Sequence, residues 1–239
     1  MTQAKDTKPA IAFVVAHPDD VANAMGGTAL LLKDAYRLHI VCATRGQRGY
    51  AGAAQHGPSA ELAATREAEE RAAAAYIDAE VTFLEMMDGE IFADRAACEE
   101  VAGILGRLKP RALFTLDPYD KPDHAAAAQI AVHALELAGR FWETEIYGTV
   151  WPGGGVRRPD LIDVFVNISA VIAEKRAMVA CHRTQLPGGT DVESVIRRNV
   201  LLGRLAWCEY AEAYRAWLPL MGRRWNRKAG SVLMELTQA

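Results

Sequence analysis

Ile11-Ala12-Phe13-Val14-Val15-Ala16-His17-Pro18-Asp19-Asp20 is the stretch on which the reading of this chain turns. The run from Ile11 to Ala16 is apolar throughout, the pattern of a strand buried on both faces. It breaks off at a histidine, a proline and two adjacent carboxylates. The same design returns later: the apolar run Ala112 to Leu116 opens into Asp117-Pro118-Tyr119-Asp120-Lys121-Pro122-Asp123-His124. Two strands that each end in a histidine and carboxylates can bring those groups together at one edge of a sheet.

Working outward, Gly26-Gly27 and a short helix through Leu30-Leu31-Leu32 lead to a second strand at Leu38 to Thr44. That is a β-loop-α-β unit of a length suited to a right-handed parallel crossover. The segment from Arg45 to Pro58 holds four glycines and no hydrophobic period, and reads as a long, functional loop. Ser59 is placed to cap a helix running to about Tyr76, and Asp94 to cap one that Pro110 ends. Further strands are expected at Glu80 to Leu84, Ile146 to Trp151 and Leu161 to Val166. Helices are expected from about Asp123 to Leu137, near Ile168 to His182, and from about Asp191 to Trp217. On that last helix Tyr210, Tyr214 and Trp217 fall at helical spacing and would face a partner subunit. Strands alternating with helices argue a single α/β domain over residues 1–239, with a mostly parallel sheet. In such sheets ligands bind beyond the C-terminal strand ends, where His17 and His124 would lie.

Composition narrows the function. The 239 residues are 51% hydrophobic with net charge −3, and no basic block marks a nucleic-acid footprint. No apolar run approaches the roughly 18 residues that cross a bilayer. The polar N-terminus lacks a signal-peptide apolar region, so a cytoplasmic protein is expected. Cys42, Cys98, Cys181 and Cys208 form no C-x-x-C pair and read as small buried hydrophobes. Gly26-Gly27 do not complete G-x-G-x-x-G, which argues against a dinucleotide loop.

A catalytic zinc site needs three protein ligands and one open position. His17, Asp20 and His124 supply two imidazoles and a carboxylate. Asp19 is then the spare carboxylate, in the position of a general base, although spacing alone leaves the two aspartates interchangeable. Zinc suits this donor set, and ferrous iron accepts the same groups. The bland alternative for His-Pro-Asp-Asp is a strand-end turn with an Asx cap. Asp123 would either hydrogen-bond a metal-bound histidine or cap the following helix. Arg66 would pair with Glu69 or Glu70, and His182 reads as a hydrogen-bonded structural histidine.

These motifs together resemble the PIG-L/LmbE-like superfamily of zinc-dependent N-acetylglucosaminyl deacetylases. Ala16-His17-Pro18-Asp19-Asp20 with Gly26-Gly27 resembles its opening motif, and Pro122-Asp123-His124 its second metal motif. Thr44-Arg45-Gly46-Gln47, Arg66-Glu67-Ala68-Glu69, Asp88-Gly89 and His182-Arg183-Thr184-Gln185 resemble supporting elements. The resemblance implies a Rossmann-like α/β fold and hydrolysis of a non-peptide C–N bond, releasing an acyl group, usually acetyl, from an amino-sugar-containing small molecule. It places metal ligation on His17, Asp20 and His124 and the base on Asp19. It places substrate binding on Arg66, with Arg45 and its loop, and carbonyl polarisation on Tyr119. It also raises the prospect of a homo-oligomer, with neither nucleic acid nor membrane as partner.

The chain departs from the family pattern in three places. Lys121 stands where a histidine is usual, Gln47 replaces a common glutamate, and Val21-Ala22 lack an acidic residue. A lysine ammonium can stabilise an oxyanion, but it is no near-neutral acid unless burial lowers its pKa. These changes keep two rivals in view: a catalytically altered sugar- or metal-binding protein of the same fold, and an amidase acting on a larger acyl group.

Overall fold

A computed structural model describes residues 8–49, 57–150, 162–188, 191–217 and 231–237. The middle of the loop between Arg45 and Pro58, and the Trp151 end of the expected fifth strand, lie outside them. In chain order the elements are β1 (Ala10–Val15), α1 (Asp20–Ala24), α2 (Gly26–Leu32), β2 (Arg37–Thr44), α3 (Ala60–Ala74), β3 (Glu80–Met86), α4 (Arg95–Leu108), β4 (Ala112–Thr115) and α5 (Pro122–Leu137). Then follow β5 (Glu145–Thr149), β6 (Val164–Asn167), α6 (Ile172–Ala180), α7 (Val192–Leu205), β7 (Ala211–Ala216) and α8 (Val232–Thr237).

One seven-stranded sheet has the order β3-β2-β1-β4-β5-β7-β6. The first five strands in that order run parallel; β7 is antiparallel to both β5 and β6. The chain steps outward on one side of β1 and then returns to lay β4 on its other side. That reversal opens a crevice beyond the ends of β1 and β4, the switch point where open α/β sheets bind ligands. Register fixes the two strand ends level, with Val14 opposite Thr115, whose hydroxyl donates to the Val14 carbonyl at 2.8 Å.

The central strands are buried on both faces, which is why β1 and β4 read as unbroken apolar runs. Phe13, Phe114, Tyr147 and Tyr214 stack across β1, β4, β5 and β7, with neighbouring centroids 5.1 to 6.4 Å apart. Ser59 and Asp94 cap α3 and α4, accepting from the amides of Leu62 and Ala97.

The expected helix from Asp191 to Trp217 is a correction. It ends at Leu205, and residues 211–216 form β7, inside the sheet rather than at its edge. Ala-Glu-Ala-Tyr-Arg-Ala has little intrinsic strand preference; its neighbours on both sides impose the conformation. Tyr214 therefore faces no partner subunit but is fully buried, and Trp217 packs over Gly148, where an added Cβ would meet its ring at 2.8 Å. All four cysteines are free.

Glu212 of β7 explains the glycine pair. Its buried carboxylate accepts from the amides of Gly27 and Thr28 at the start of α2 (2.8 and 2.7 Å) and from the hydroxyls of Thr28 and Tyr214 (2.6 and 3.0 Å). It also pairs with buried Lys175 at 2.5 Å. An added Cβ at Gly27 would lie 2.6 Å from Ile168 Cγ2, so only glycine lets α2 sit this close.

Candidate metal and catalytic site

Because β1 and β4 are neighbours, the segments that follow them converge. Ligand atoms of His17, Asp20 and His124 lie within 4.8 Å of one another, and all three residues are buried. His124 Nε2 lies 3.2 Å from Asp20 Oδ1 and has no hydrogen-bond partner, while His124 Nδ1 lies 2.7 Å from Asp120 Oδ2. If Nδ1–H donates to Asp120, Nε2 is left with its lone pair directed at the cluster. On His17, Nε2 faces Asp123 Oδ2 at 3.1 Å and Asp88 Oδ1 at 3.2 Å, and Nδ1 faces Asp20 Oδ2 at 3.7 Å. Each imidazole thus has one nitrogen tied to a carboxylate and the other turned inward, the usual bracing of metal-binding histidines. Asp20 Oδ2 is fixed by the amides of Ala16 and His17 (3.1 and 2.8 Å).

The electrostatics match a site short of positive charge. Burial raises the Asp20 carboxyl, but His124 and His17 more than reverse this and hold it well below the carboxylate range. Burial lowers the His17 imidazole, yet Asp123, Asp88 and Asp20 carry it up to about 9. The surrounding carboxylates favour positive charge on the imidazoles. A divalent ion would supply that charge.

Asp19 is held in an unusual backbone conformation, φ 106° and ψ −20°. A non-glycine residue there costs about 1–3 kcal/mol and persists only when its surroundings over-determine it. Three contacts do so. Its amide donates to Glu70 Oε2 at 2.9 Å, its Oδ2 accepts from Asn23 Nδ2 at 3.1 Å, and Arg66 Nη2 donates to the Pro18 carbonyl at 2.6 Å. Burial raises the Asp19 carboxyl, opposed mainly by Arg66.

Arg66 lies beneath the loop, 3% exposed. Its Nη1 donates to the Gly46 carbonyl at 3.2 Å, and the guanidinium faces Asp19 Oδ1 and Asp88 Oδ2 at 3.5 and 3.7 Å. It does not pair with Glu69 or Glu70: Glu69 accepts from the amide and hydroxyl of Thr184, and Glu70 from Asp19. Gly46, at φ +67°, makes room for it; a Cβ there would lie 2.3 Å from Nη1. Arg45 points outward to Glu85 at 2.7 Å and Glu67 at 3.7 Å.

Lys121 is exposed at the rim, and its charge is felt by Asp19, Asp20 and His124. Tyr119 is 70% exposed, with the Arg215 guanidinium 5.4 Å over its ring. It opens onto a cavity of about 340 Å³ lined also by Val132, Phe141, Ile146 and Trp217. Asp123 sits in the first turn of α5, whose N-cap is Lys121. Its carboxylate goes to His17 and to the amides of Gly89 and Ile91, so it does not cap its own helix. His182 is buried, but neither ring nitrogen has a hydrogen bond to the described residues; Nε2 lies 3.7 Å from Glu70.

Sequence reasoning gave Asp120 no role at the site, quoted Asp88 only within the Asp88-Gly89 element of the resemblance, and took Glu70 only as a pairing candidate for Arg66. Asp120 and His124 stand four apart at a helix start, a spacing that could have flagged the first. Asp88 reaches the site through the turn after β3, where the Asp88-Gly89 element was the signal, and Glu70 through the packing of α3, which leaves no local signal.

The switch-point crevice and its imidazole–carboxylate cluster define an α/β protein with a metal-type site. The chain belongs to the PIG-L family, whose model, described as GlcNAc-PI de-N-acetylase, matches residues 12–135. It is 27% identical over 216 residues to the diacetylchitobiose deacetylase of Thermococcus kodakarensis, covering 83% of this chain and 79% of that one. Among solved structures, the conserved protein TT1542 from Thermus thermophilus superposes with a TM-score of 0.72 at 29% identity, over 91% of this chain and 98% of that one. GalB, the 4-carboxy-2-hydroxymuconate hydratase of Pseudomonas putida KT2440, gives 0.71 at 23% identity, over 91% and 99%. A hydratase on this fold means that the reaction must be argued from the site.

Proposed function

We propose that this protein is a zinc-dependent N-deacetylase that hydrolyses the acetamide of an amino-sugar-containing small molecule. The observation that carries this is the convergence of His17, Asp20 and His124, with a buried His124 Nε2 that has no hydrogen-bond partner. The donor set fits a divalent ion: two imidazoles whose outer nitrogens are braced, and one carboxylate held ionised. When bound, such an ion supplies a Lewis acid for the amide carbonyl and lowers the pKa of water. The family and the 27% identical chitobiose deacetylase support acetamide hydrolysis over other additions of water.

The chain's own residues supply the proton handling. Asp19, partly exposed beside the cluster, takes the proton from the attacking water. Its raised pKa favours holding that proton until the amine leaves. Arg66 fixes Asp19 through the Pro18 carbonyl and its own charge. Lys121 extends an ammonium over the rim, where it stabilises the developing oxyanion without acting as an acid. Tyr119 and the adjoining cavity receive the remainder of the substrate, which favours a conjugate over a free amino sugar. Arg45 sets the outer wall of the substrate loop. Among the described residues no helix is long and apolar enough to cross a membrane. A small-molecule substrate and action in the cytoplasm are part of the proposal.

The test is acetate release from a panel of N-acetylglucosamine conjugates by the zinc-loaded wild type and by Asp19→Ala. The expected result is turnover by wild type, and a loss of at least about a hundredfold in the variant, as for removal of a general base, with metal retained. Bound zinc with no release from acetyl or larger acyl substrates would overturn the enzyme reading in favour of a binding protein.

A further inference from the structure

Asp19 occupies the N-cap of α1, where an aspartate ordinarily turns its carboxylate onto the amides of its own first turn. Here it makes no such bond. Its Oδ2 accepts from Asn23 Nδ2 at 3.1 Å and its Oδ1 faces Arg66 at 3.5 Å, so each oxygen is held from a different side. Asn23 stands one helical turn on, and its backbone amide donates to the Asp19 carbonyl at 2.9 Å. Only the nitrogen end of its side-chain amide can face an ionised carboxylate; turned over, it would set oxygen against oxygen.

Two buried charges outside the metal-type cluster hold Asn23 in turn. α1 has five residues, so its last carbonyls find no partner inside it. In an unbroken helix the Asn23 carbonyl would accept from the Gly27 amide. Instead Lys175 Nζ donates to that carbonyl at 3.0 Å, and the Gly27 amide donates to Glu212 Oε1 at 2.8 Å. Lys175 and Glu212 pair with each other at 2.5 Å, both buried. The ion pair thus stands in the gap between α1 and α2, its ammonium on the carbonyl end of one and its carboxylate on the amide end of the other, the sign that each helix end favours. A buried ion pair adds little net stability over an apolar replacement; here its hydrogen bonds set the end of α1 against the start of α2. We propose, resting on Asp19 as the base, that Asn23 is its positioning residue. Asn23 holds the Asp19 carboxylate off the amides of its own helix, free to take a proton from water, and Lys175 with Glu212 fixes the backbone from which it does so.

The test is steady-state acetate release from N-acetylglucosamine conjugates, with zinc content and thermal unfolding, for wild type, Asn23→Ala, Asp19→Ala and the double variant. Alanine favours helix, so α1 persists in Asn23→Ala, and zinc content and melting point should stay close to wild type. Its kcat is expected to fall at least about tenfold with KM unchanged, the split that marks an interaction made only in the transition state. In the Asp19→Ala background the same substitution is expected to cost less than about twofold, because the carboxylate through which Asn23 acts is no longer there. Asn23→Asp, of the same size without the donor, is expected to lose at least as much as Asn23→Ala. Lys175→Met, assayed well below its melting point, is expected to lower kcat in the wild-type background and to add little to Asn23→Ala. Wild-type kcat in Asn23→Ala, or losses that simply multiply in the double variant, would overturn the positioning role while leaving Asp19 as the base. Wild-type kcat in Lys175→Met would overturn the part assigned to the ion pair. A wild type that releases no acyl group, or an Asp19→Ala variant with full turnover, would instead overturn the base assignment and the role of Asn23 with it.

Discussion

Replacing Arg66 by methionine removes a buried cation that ties the first metal segment to the helix beneath it. The guanidinium donates to the Pro18 and Gly46 carbonyls (2.6 and 3.2 Å) and faces Asp19 and Asp88. The side chain is 3% exposed, so solvent does not screen these contacts. Removing one partner from a buried charged cluster costs about 3–5 kcal/mol, because the carboxylates and carbonyls left behind stay desolvated. In a chain of this size each kcal/mol is worth about 2–4 °C, so Arg66→Met should melt about 6–20 °C below wild type. Arg66→Lys should recover only part of this, since a single ammonium does not reproduce a planar fork that reaches two carbonyls. The assay is urea and thermal unfolding followed by circular dichroism, with acetate release measured well below the melting point. Turnover should fall in both variants, because Asp19 loses the contacts that hold φ at 106°. Arg66→Met within about 1 kcal/mol of wild type would refute the account of the loop as a strained segment held from below.

Three further outcomes follow from the packing and the buried charges. Gly27→Ala gains helix propensity of about 1 kcal/mol, yet its Cβ would meet Ile168 Cγ2 at 2.6 Å, so a net loss of about 1–2 kcal/mol is expected in equilibrium unfolding. Ile168→Ala should relieve this only in part, because the Ile168 Cβ itself stands 2.8 Å away. Lys175→Met strands Glu212 and should cost about 3–5 kcal/mol; a double-mutant cycle with Glu212→Gln should show more than about 1 kcal/mol of coupling between the two. Burial holds the His182 imidazole down to about 4 against an ordinary 6.5, so the unfolded chain binds the proton first. Its contribution is therefore whole above pH 6.5 and fades as pH falls toward 4, by at most about 3 kcal/mol. Burial lifts Glu70 from 4.5 to about 8, which lowers stability as pH rises through that range. The two slopes oppose each other where they overlap, so the quantity to follow is the stability difference between wild type and His182→Phe. A difference that stays flat from about pH 7 to pH 4 would show that His182 is not held neutral by burial.

The centre of the parallel sheet was legible because β1 and β4 are buried on both faces and so carry unbroken apolar runs that end abruptly. The ends of β1 and β4 also exposed the metal-type residues, since a histidine and carboxylates directly after such a run have no packing purpose there. Ser59 and Asp94 announced their helices by local cap chemistry. Of the antiparallel half, β6 was legible as the run from Leu161 to Val166, but β7 was not. β7 is a strand because β5 and β6 flank it, and its buried Glu212 makes sense only beside Lys175 and the start of α2, far away in the chain. The supporting role of Glu70 was hidden for the same reason, while Asp88 showed only through the Asp88-Gly89 element of the resemblance. Asp19 shows the limit from the other side: its residue type suggested a base, but nothing local indicated a left-handed backbone that Glu70 and Arg66 must hold.

The most direct test of the three-ligand site is metal stoichiometry, by plasma mass spectrometry, on protein purified without chelator and then re-equilibrated with zinc. Wild type, His124→Ala, Asp20→Asn and Asp19→Ala would be compared. One zinc per chain in wild type and in Asp19→Ala, and strong loss in the His124 and Asp20 variants, is the predicted pattern. Wild type that takes up no zinc, or His124→Ala that binds as tightly as wild type, would contradict the assignment of His17, Asp20 and His124 as one site.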